Sequence, residues 1–228
     1  MILNKHSELI GRHATFSPSQ PAWLRYDTDK LVDRYLKRNA SILGTEIHEF
    51  AATQILLHHK ITSKRALIDS IENYIYRKLL QDGQTELSDA GMAFIFQIRQ
   101  LIEDRLYDTV KNYINDGVGY KMVAELPLYF SDDFFGTADS ISFRKGFLRI
   151  HDLKTGTGPV HIEQLMIYAA LFCLEYKIKP SDIDMELRIY QNGDILVSNP
   201  STDEIVPIMD TIITFNKALL KIKRQEDQ

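Results

Sequence analysis

The stretch RIHDLKTGTGP, Arg149–Pro159, decides how this chain is read. What otherwise looks like a buried strand places an acid, Asp152, two residues before a base, Lys154, and then enters a Thr/Gly turn. Successive strand side chains point to opposite faces, so Ile150, Asp152 and Lys154 share one face, and His151 and Leu153 take the other. Two opposite charges are thereby presented side by side at the end of a sheet.

Around this stretch the pattern alternates between two periods. Upstream, KMVAELPLYF, FGTADSISF and FLRIHDLKT are short, rich in β-branched and aromatic residues, and separated by SDD and RKG turns, which predicts three strands in meander order. Downstream, VHIEQLMIYAALFCLEYKI is apolar almost all round and reads as a buried helix ending before Pro180. DMELRIYQ and DILVSN follow as strands around an Asn192-Gly193 turn, and a helix runs from about Asp203. The first half is helical: DTDKLVDRYLKRNA after a loop marked by Pro18 and Pro21, then TEIHEFAATQILLHH, KRALIDSIENYIYRKLL and AGMAFIFQIRQLIEDRLYDTVKNYIND, closed by a DGVGY breaker. The order predicts an α/β fold with a mixed sheet flanked by helices.

Composition excludes several classes. The chain has 228 residues, 44% hydrophobic and 25% charged, as expected of one globular domain. One cysteine, Cys173, rules out a disulfide framework or a cysteine-rich zinc ribbon and suits a reducing compartment. No apolar run is long enough for a membrane span, so a cytoplasmic protein without a membrane partner is expected. A net charge of −4 and a pI near 6.0 argue against a general nucleic-acid coat protein. They leave room for an enzyme acting on DNA. Residues 1–40 carry a local net charge of +3, read as a basic flank or, with more weight, a solvated helix face.

Four features carry chemistry. Asp152 and Lys154 are the first. Asp139, in FGTAD one strand earlier, is the second: antiparallel pairing can bring its carboxylate to the same end as Asp152. Crowded carboxylates repel, and a divalent cation is the usual compensation. His48, in GTEIHEFAA, is the third; its helical neighbours Ala51, Ala52 and Ile55 put it on a small, apolar, inward face. It reads either as a core histidine bonded to a carbonyl or, given two acids elsewhere, as a metal ligand. Gln164 and Tyr168, four apart on the apolar helix, are the fourth; they either satisfy backbone or line a cleft and hold the lysine.

GT..H, GTAD, IHDLKTG and QLMIYAAL, in this order, resemble the RecB-like branch of the PD-(D/E)XK nuclease superfamily, and the chain as a whole resembles phage-encoded recombination exonucleases of the lambda exonuclease type. The resemblance covers roughly residues 44 to 190 and implies a restriction-endonuclease-like core: helix, three-strand meander, helix, strand, with added N-terminal helices. It implies a single nuclease domain over 1–228, with an extension over 1–43, a core over 44–200 interrupted by a helical insertion at about 60–117, and a C-terminal helix over 201–228. By family role His48, Asp139 and Asp152 bind the metal, with the Leu153 carbonyl as a further ligand, and Lys154 acts on the attacking water and the transition-state charge. Gln164 and Tyr168 match the family's glutamine–tyrosine motif and would contact DNA or support the site. Glu125, on the first strand, is either a further acid of the site or surface decoration.

The implied activity is divalent-metal-dependent hydrolysis of DNA, by an exonuclease on duplex ends or single strands, beside a single-strand annealing protein and as a candidate homo-oligomer, in the host cytoplasm if phage-encoded. An imidazole ligand suits Mn²⁺ better than Mg²⁺, so activity with both and inhibition by Ca²⁺ are expected. One cysteine excludes a cysteine-ligated iron–sulfur cluster, and no G-x-x-x-x-G-K-[ST] loop builds in a motor. Competing readings are a structure-specific or single-strand endonuclease, a non-catalytic DNA-binding module on the same scaffold, and, least favoured, a zinc protein using His151, His161 and Cys173.

Overall fold

The computed structural model describes Arg25, residues 27–80 and residues 86–226. The Pro18/Pro21 loop and the basic residues Lys5 and Arg12 lie outside the described residues, as does most of the QDGQTELSD turn. The chain divides into two units, Met1–Thr45 and Glu46–Gln228. In the first unit, helix α1 (Thr28–Leu56) begins with Lys30 N donating to the Asp27 carboxylate at 2.8 Å. The two helical stretches predicted on either side of Gly44 are one continuous helix.

The second unit is α/β. After α1 come α2 (Lys64–Leu79), α3 (Asp89–Leu101), a single π-helical turn (Ile102–Leu106) and α4 (Tyr107–Gly119). Ser63 and Ser88 cap α2 and α3 by accepting from Ala66 N and Gly91 N at 3.1 and 3.3 Å, which satisfies amides that no helical carbonyl reaches. Strands β1 (Val123–Ser131), β2 (Phe134–Arg144) and β3 (Phe147–Leu153) form the meander. Helix α5 (Glu163–Tyr176) crosses over to β4 (Asp184–Gln191), β5 (Asp194–Ser198) follows, and α6 (Thr202–Glu226) ends the fold.

The sheet order is β1-β2-β3-β4-β5, with β3 and β4 parallel and every other pair antiparallel. A parallel pair needs a crossover, and α5 supplies it. Two of the three two-residue hairpins take left-handed backbone at both turn residues, Lys145-Gly146 (φ 52° and 75°) and Asn192-Gly193 (φ 52° and 83°), which matches the twist of paired strands. This is the mixed sheet flanked by helices that the pattern predicts, with helix, three strands, helix and strand in that order. Among the described residues no helix is long and apolar enough to cross a membrane.

The sheet has two chemically different faces. Ile150, Leu187 and Ile189 pack with Leu165, Ala169 and the rest of α5, and α6 adds Ile205 and Ile212. The other face, under α4, is polar. There Tyr190 Oη donates to the Asp116 carboxylate at 2.7 Å, Arg188 donates to the same carboxylate at 2.9 Å and to Tyr120 Oη at 3.1 Å, and Glu186 joins Arg188 to Arg149 at 3.1 Å each. Because the Tyr190 proton is committed to Asp116, His151 Nδ1, at 3.2 Å, is the donor to Tyr190 Oη, and its buried Nε2 has no hydrogen bond. Burial, with Arg188 and Arg149 nearby, pushes the His151 pKa down to about 3, so the ring is neutral at physiological pH.

The DGVGY segment departs from expectation: α4 runs through Gly117 and ends only at Gly119. A Cβ at Gly117 would lie 2.6 Å from Ile55 Cδ1 and 2.8 Å from its Cγ1, and Ile55 is fully packed, so this glycine permits close approach of α1 and α4 rather than breaking the helix. Gly117→Val should therefore cost about 1–3 kcal/mol and lower the urea midpoint without changing the slope. Gly119→Ala, where only the tip of Lys60 comes within 4.0 Å, should change stability by less than ~0.5 kcal/mol.

Candidate active site

The β2–β3 ladder places the acids. Its pairing runs from Arg144↔Phe147 to Ser140↔His151, so the next residue on each strand sets Asp139 opposite Asp152. At that point β2 loses step. Gly136, over which Tyr168 lies, and Ala138 face α5, and so do Ile141 and Phe143, an odd number of residues further on. Asp139 is where the alternation slips, and its partner position on β1, Glu125 between Ala124 and Leu126, takes a left-handed φ of 52°. At this slip the Asp139 carboxylate reaches His48 on α1 and the Leu153 amide.

On α1 the imidazole meets it. His48 Nδ1 is 3.3 Å from Asp139 Oδ2, and the same oxygen accepts from Leu153 N at 2.9 Å. Ala51 and Ile55, one and two turns beyond His48, are fully buried, so α1 seats its small apolar face and holds the ring at the sheet end. Lys154 Nζ stands 3.1 Å from Asp152 Oδ1 and 3.0 Å from Oδ2, with hydrogen-bond geometry to Oδ1 alone. Asp152 Oδ2 is thus buried without a hydrogen bond. Lys154 Nζ also donates to Gln164 Oε1 at 3.1 Å, and Tyr168 follows one helical turn beyond Gln164 on α5. Three elements, α1, the β2–β3 ends and the start of α5, therefore contribute to one cluster.

The electrostatics follow from this packing. Burial, then the facing Asp139 charge, pushes the Asp152 pKa up to about 6 even though Lys154 opposes the shift. Burial alone would lower the His48 pKa, but its hydrogen bond to Asp139 and the charges of Asp139, Asp152 and Glu125 more than offset it, and the net shift is upward. Burial and Asp139 likewise raise Glu125. The cluster carries more negative charge than it neutralises by itself, which is the condition that favours a cation. As arranged, however, the side chains interact in pairs, and among the described residues no three His, Cys, Asp or Glu side chains are grouped as one metal cage.

The structure thus brings His48, Asp139, Asp152, Lys154, Gln164 and Tyr168 together, with Glu125 at their edge and the Leu153 amide bonded to Asp139. The zinc alternative is overturned: His151 meets Tyr120 edge to face on the α4 face, Cys173 lies in the α5 core on the opposite face, and His161 is exposed. The groups that brace the loop after Lys154 leave no motif in the sequence. Arg105, projected from the π-helical turn, donates to Thr155 O at 2.6 Å, and Gln191 Nε2 donates to Gly156 O and Gly158 O at 2.8 and 2.9 Å. The interrupted helix register at Ile102–Leu106 had no signal in the apolar pattern. A second unforeseen group is Lys78, which pairs with Glu46 at 2.8 Å and with Glu49, next to His48.

The raised Asp152 pKa has a sign that can be tested. Relative to an unfolded value near 3.9, its contribution to stability is fully present below about pH 4 and is lost as pH rises through about 6. Asp152→Asn, which stays neutral, should match wild type near pH 4 and exceed it by about 1–3 kcal/mol above pH 7. Chemical denaturation across that range checks it, and a variant less stable at both ends would contradict the electrostatic assignment.

No curated protein and no solved structure matches the chain. The family DUF2800, described as a protein of unknown function, matches residues 13–192, a span that includes α1 with His48, the three-strand meander, α5 and β4. That is most of the chain, and the protein belongs to the DUF2800 family.

Proposed function

We propose that this protein is a divalent-metal-dependent DNA nuclease that hydrolyses phosphodiester bonds, acting as an exonuclease on duplex ends for phage-type recombination. The observation that carries the reading is the convergence of an imidazole, two facing carboxylates and an ammonium from three elements, within a cluster whose acid charge is only partly neutralised. The resemblance to RecB-like PD-(D/E)XK nucleases supports it through the same residues in the same order.

In this reading His48, Asp139 and Asp152, with the Leu153 carbonyl, hold Mg²⁺ or Mn²⁺. The donor set suits such an ion: buried Asp152 Oδ2 lacks a hydrogen bond, and one nitrogen among oxygens is accepted readily by Mn²⁺. The bound ion supplies neutralisation of phosphate charge and a lowered water pKa. Filling the site requires the His48–Asp139 and Lys154–Asp152 contacts to yield. Gln164 keeps Lys154 at the site by accepting from its ammonium, and that ammonium is then free to face the attacking water and the developing charge on phosphorus. Arg105 and Gln191 hold the Thr155–Gly158 backbone in place behind it. The protein acts in the cytoplasm, of the host if phage-encoded, beside a single-strand annealing protein, and as a homo-oligomer if processive.

End-labelled linear duplex tests the reading. Wild type should release nucleotides with Mn²⁺ or Mg²⁺ and none with EDTA, while Asp152→Asn and Lys154→Ala should each lower the rate by roughly 10²-fold or more with circular dichroism unchanged. A wild type that shows no metal-dependent cleavage, or an Asp152→Asn variant that cuts as well as wild type, rejects the proposal. Cutting of covalently closed circles would replace the exonuclease with an endonuclease.

A further inference from the structure

A cavity of about 540 Å³ opens beside the acid cluster, between the end of α1, the start of β1 and the end of β2. Its walls combine apolar and cationic side chains. Leu56 and Val123 are 75% and 54% exposed, and Lys121, Arg144 and His58 stand around them. Neither Lys121 nor Arg144 makes an ion pair among the described residues. Glu125 closes the end nearest Asp139 and is the only acid in the lining.

The backbone of this groove is unusual. Of the six non-glycine residues with left-handed φ among the described residues, His58 (57°), Lys121 (54°) and Glu125 (52°) all line it. His58 closes α1 and Lys121 closes α4, positions where glycine costs least, yet both keep long side chains that face the cavity. Glu125 takes the same conformation inside β1, where no turn or cap requires it. His58 and Lys121 thus take a conformation that commonly ends helices, and Glu125 is the one strained position of the three that no local signal accounts for.

We infer that this groove is a subsite for a single unpaired nucleotide of the cleaved strand, with Lys121 and Arg144 on its phosphates and Leu56 and Val123 against its base. The choice of nucleic acid as ligand rests on the nuclease reading; the size and chemistry of the subsite do not. The volume lies in the range that holds one drug-sized ligand and is far too small for paired strands. Proteins that take single strands without reading sequence pair cations that track the phosphates with a flat apolar surface for the bases; in this groove the aliphatic side chains of Leu56 and Val123 stand where an aromatic ring is usual. The groove joins the acid cluster through Glu125, so a nucleotide seated here is a neighbour of the phosphate presented to Asp139 and Asp152.

Fluorescence anisotropy with labelled oligothymidylate of about eight nucleotides, in EDTA so that nothing is cleaved, tests this on the whole chain. Lys121→Ala/Arg144→Ala should weaken binding at least about tenfold and make the log–log salt dependence shallower by about 1.4, the value for two single-strand phosphate contacts. Leu56→Ser should weaken binding without altering the salt dependence. Lys177→Ala/Lys179→Ala, which removes equal charge beyond the end of α5, should change neither. Melting temperatures of all variants should stay at the wild-type value, because these side chains are exposed. A Lys121/Arg144 variant that binds with wild-type affinity and salt dependence, or a wild type that does not bind the oligonucleotide, overturns the subsite. If the wild type binds through this groove but never cleaves with metal, the nuclease reading fails alone; if it cleaves and the double variant binds normally, the subsite fails alone.

Discussion

The register between β2 and β3 is the constraint on which the rest depends. Pairing Ser140 with His151 leaves Asp139 facing Asp152 at the strand ends, with Leu153 N bonded to the Asp139 carboxylate. Two acids in one half-buried place are costly, and the neighbouring groups all respond to that cost: His48 leans on Asp139, Lys154 on Asp152, and the Asp152 proton is held to about pH 6. A slip of one residue in this ladder would turn Asp152 into the α4 face, among Tyr113, Tyr120 and Tyr190, and would separate it from the lysine.

The sheet guards that register from both sides. The apolar face is fixed by α5, whose small residues Ala169 and Ala170 let it sit close to the strands. The polar face is fixed by the His151–Tyr190–Asp116–Arg188 network, in which the neutral imidazole, the phenol and the guanidinium have directional partners. Such networks specify one arrangement because any displacement leaves a buried group unpaired. The residues flanking Asp152, His151 and Leu153, are thereby held on one side while Asp152 itself points to the other. Positioning of the acid is a property of the whole sheet rather than of the motif.

Most of the fold was legible because it is written in short-range periods. Alternation and turn residues located β1 to β5 within a few residues, and DMELRIYQ coincides with β4. What the sequence hid was set by contacts between distant segments. Gly117 looks like a helix breaker until Ile55 is seen against it, and the π-helical turn that aims Arg105 at Thr155, 50 residues away, leaves the apolar spacing intact. The neighbours in the candidate site were legible for a different reason: His48, Asp139, Asp152, Lys154, Gln164 and Tyr168 form a pattern of residue types in order. The pattern did not reveal that β2 loses step at Asp139 or that Glu125 turns left-handed opposite it, because both are responses of the backbone to tertiary packing.

The central claim is that the imidazole and the two facing carboxylates share one divalent cation. Diffraction from crystals grown with Mn²⁺ tests it most directly, through the anomalous signal of the metal. The account predicts a peak about 2.0–2.6 Å from oxygens of both Asp139 and Asp152 and from a His48 nitrogen. A peak elsewhere on the chain, or none at saturating Mn²⁺, would contradict it.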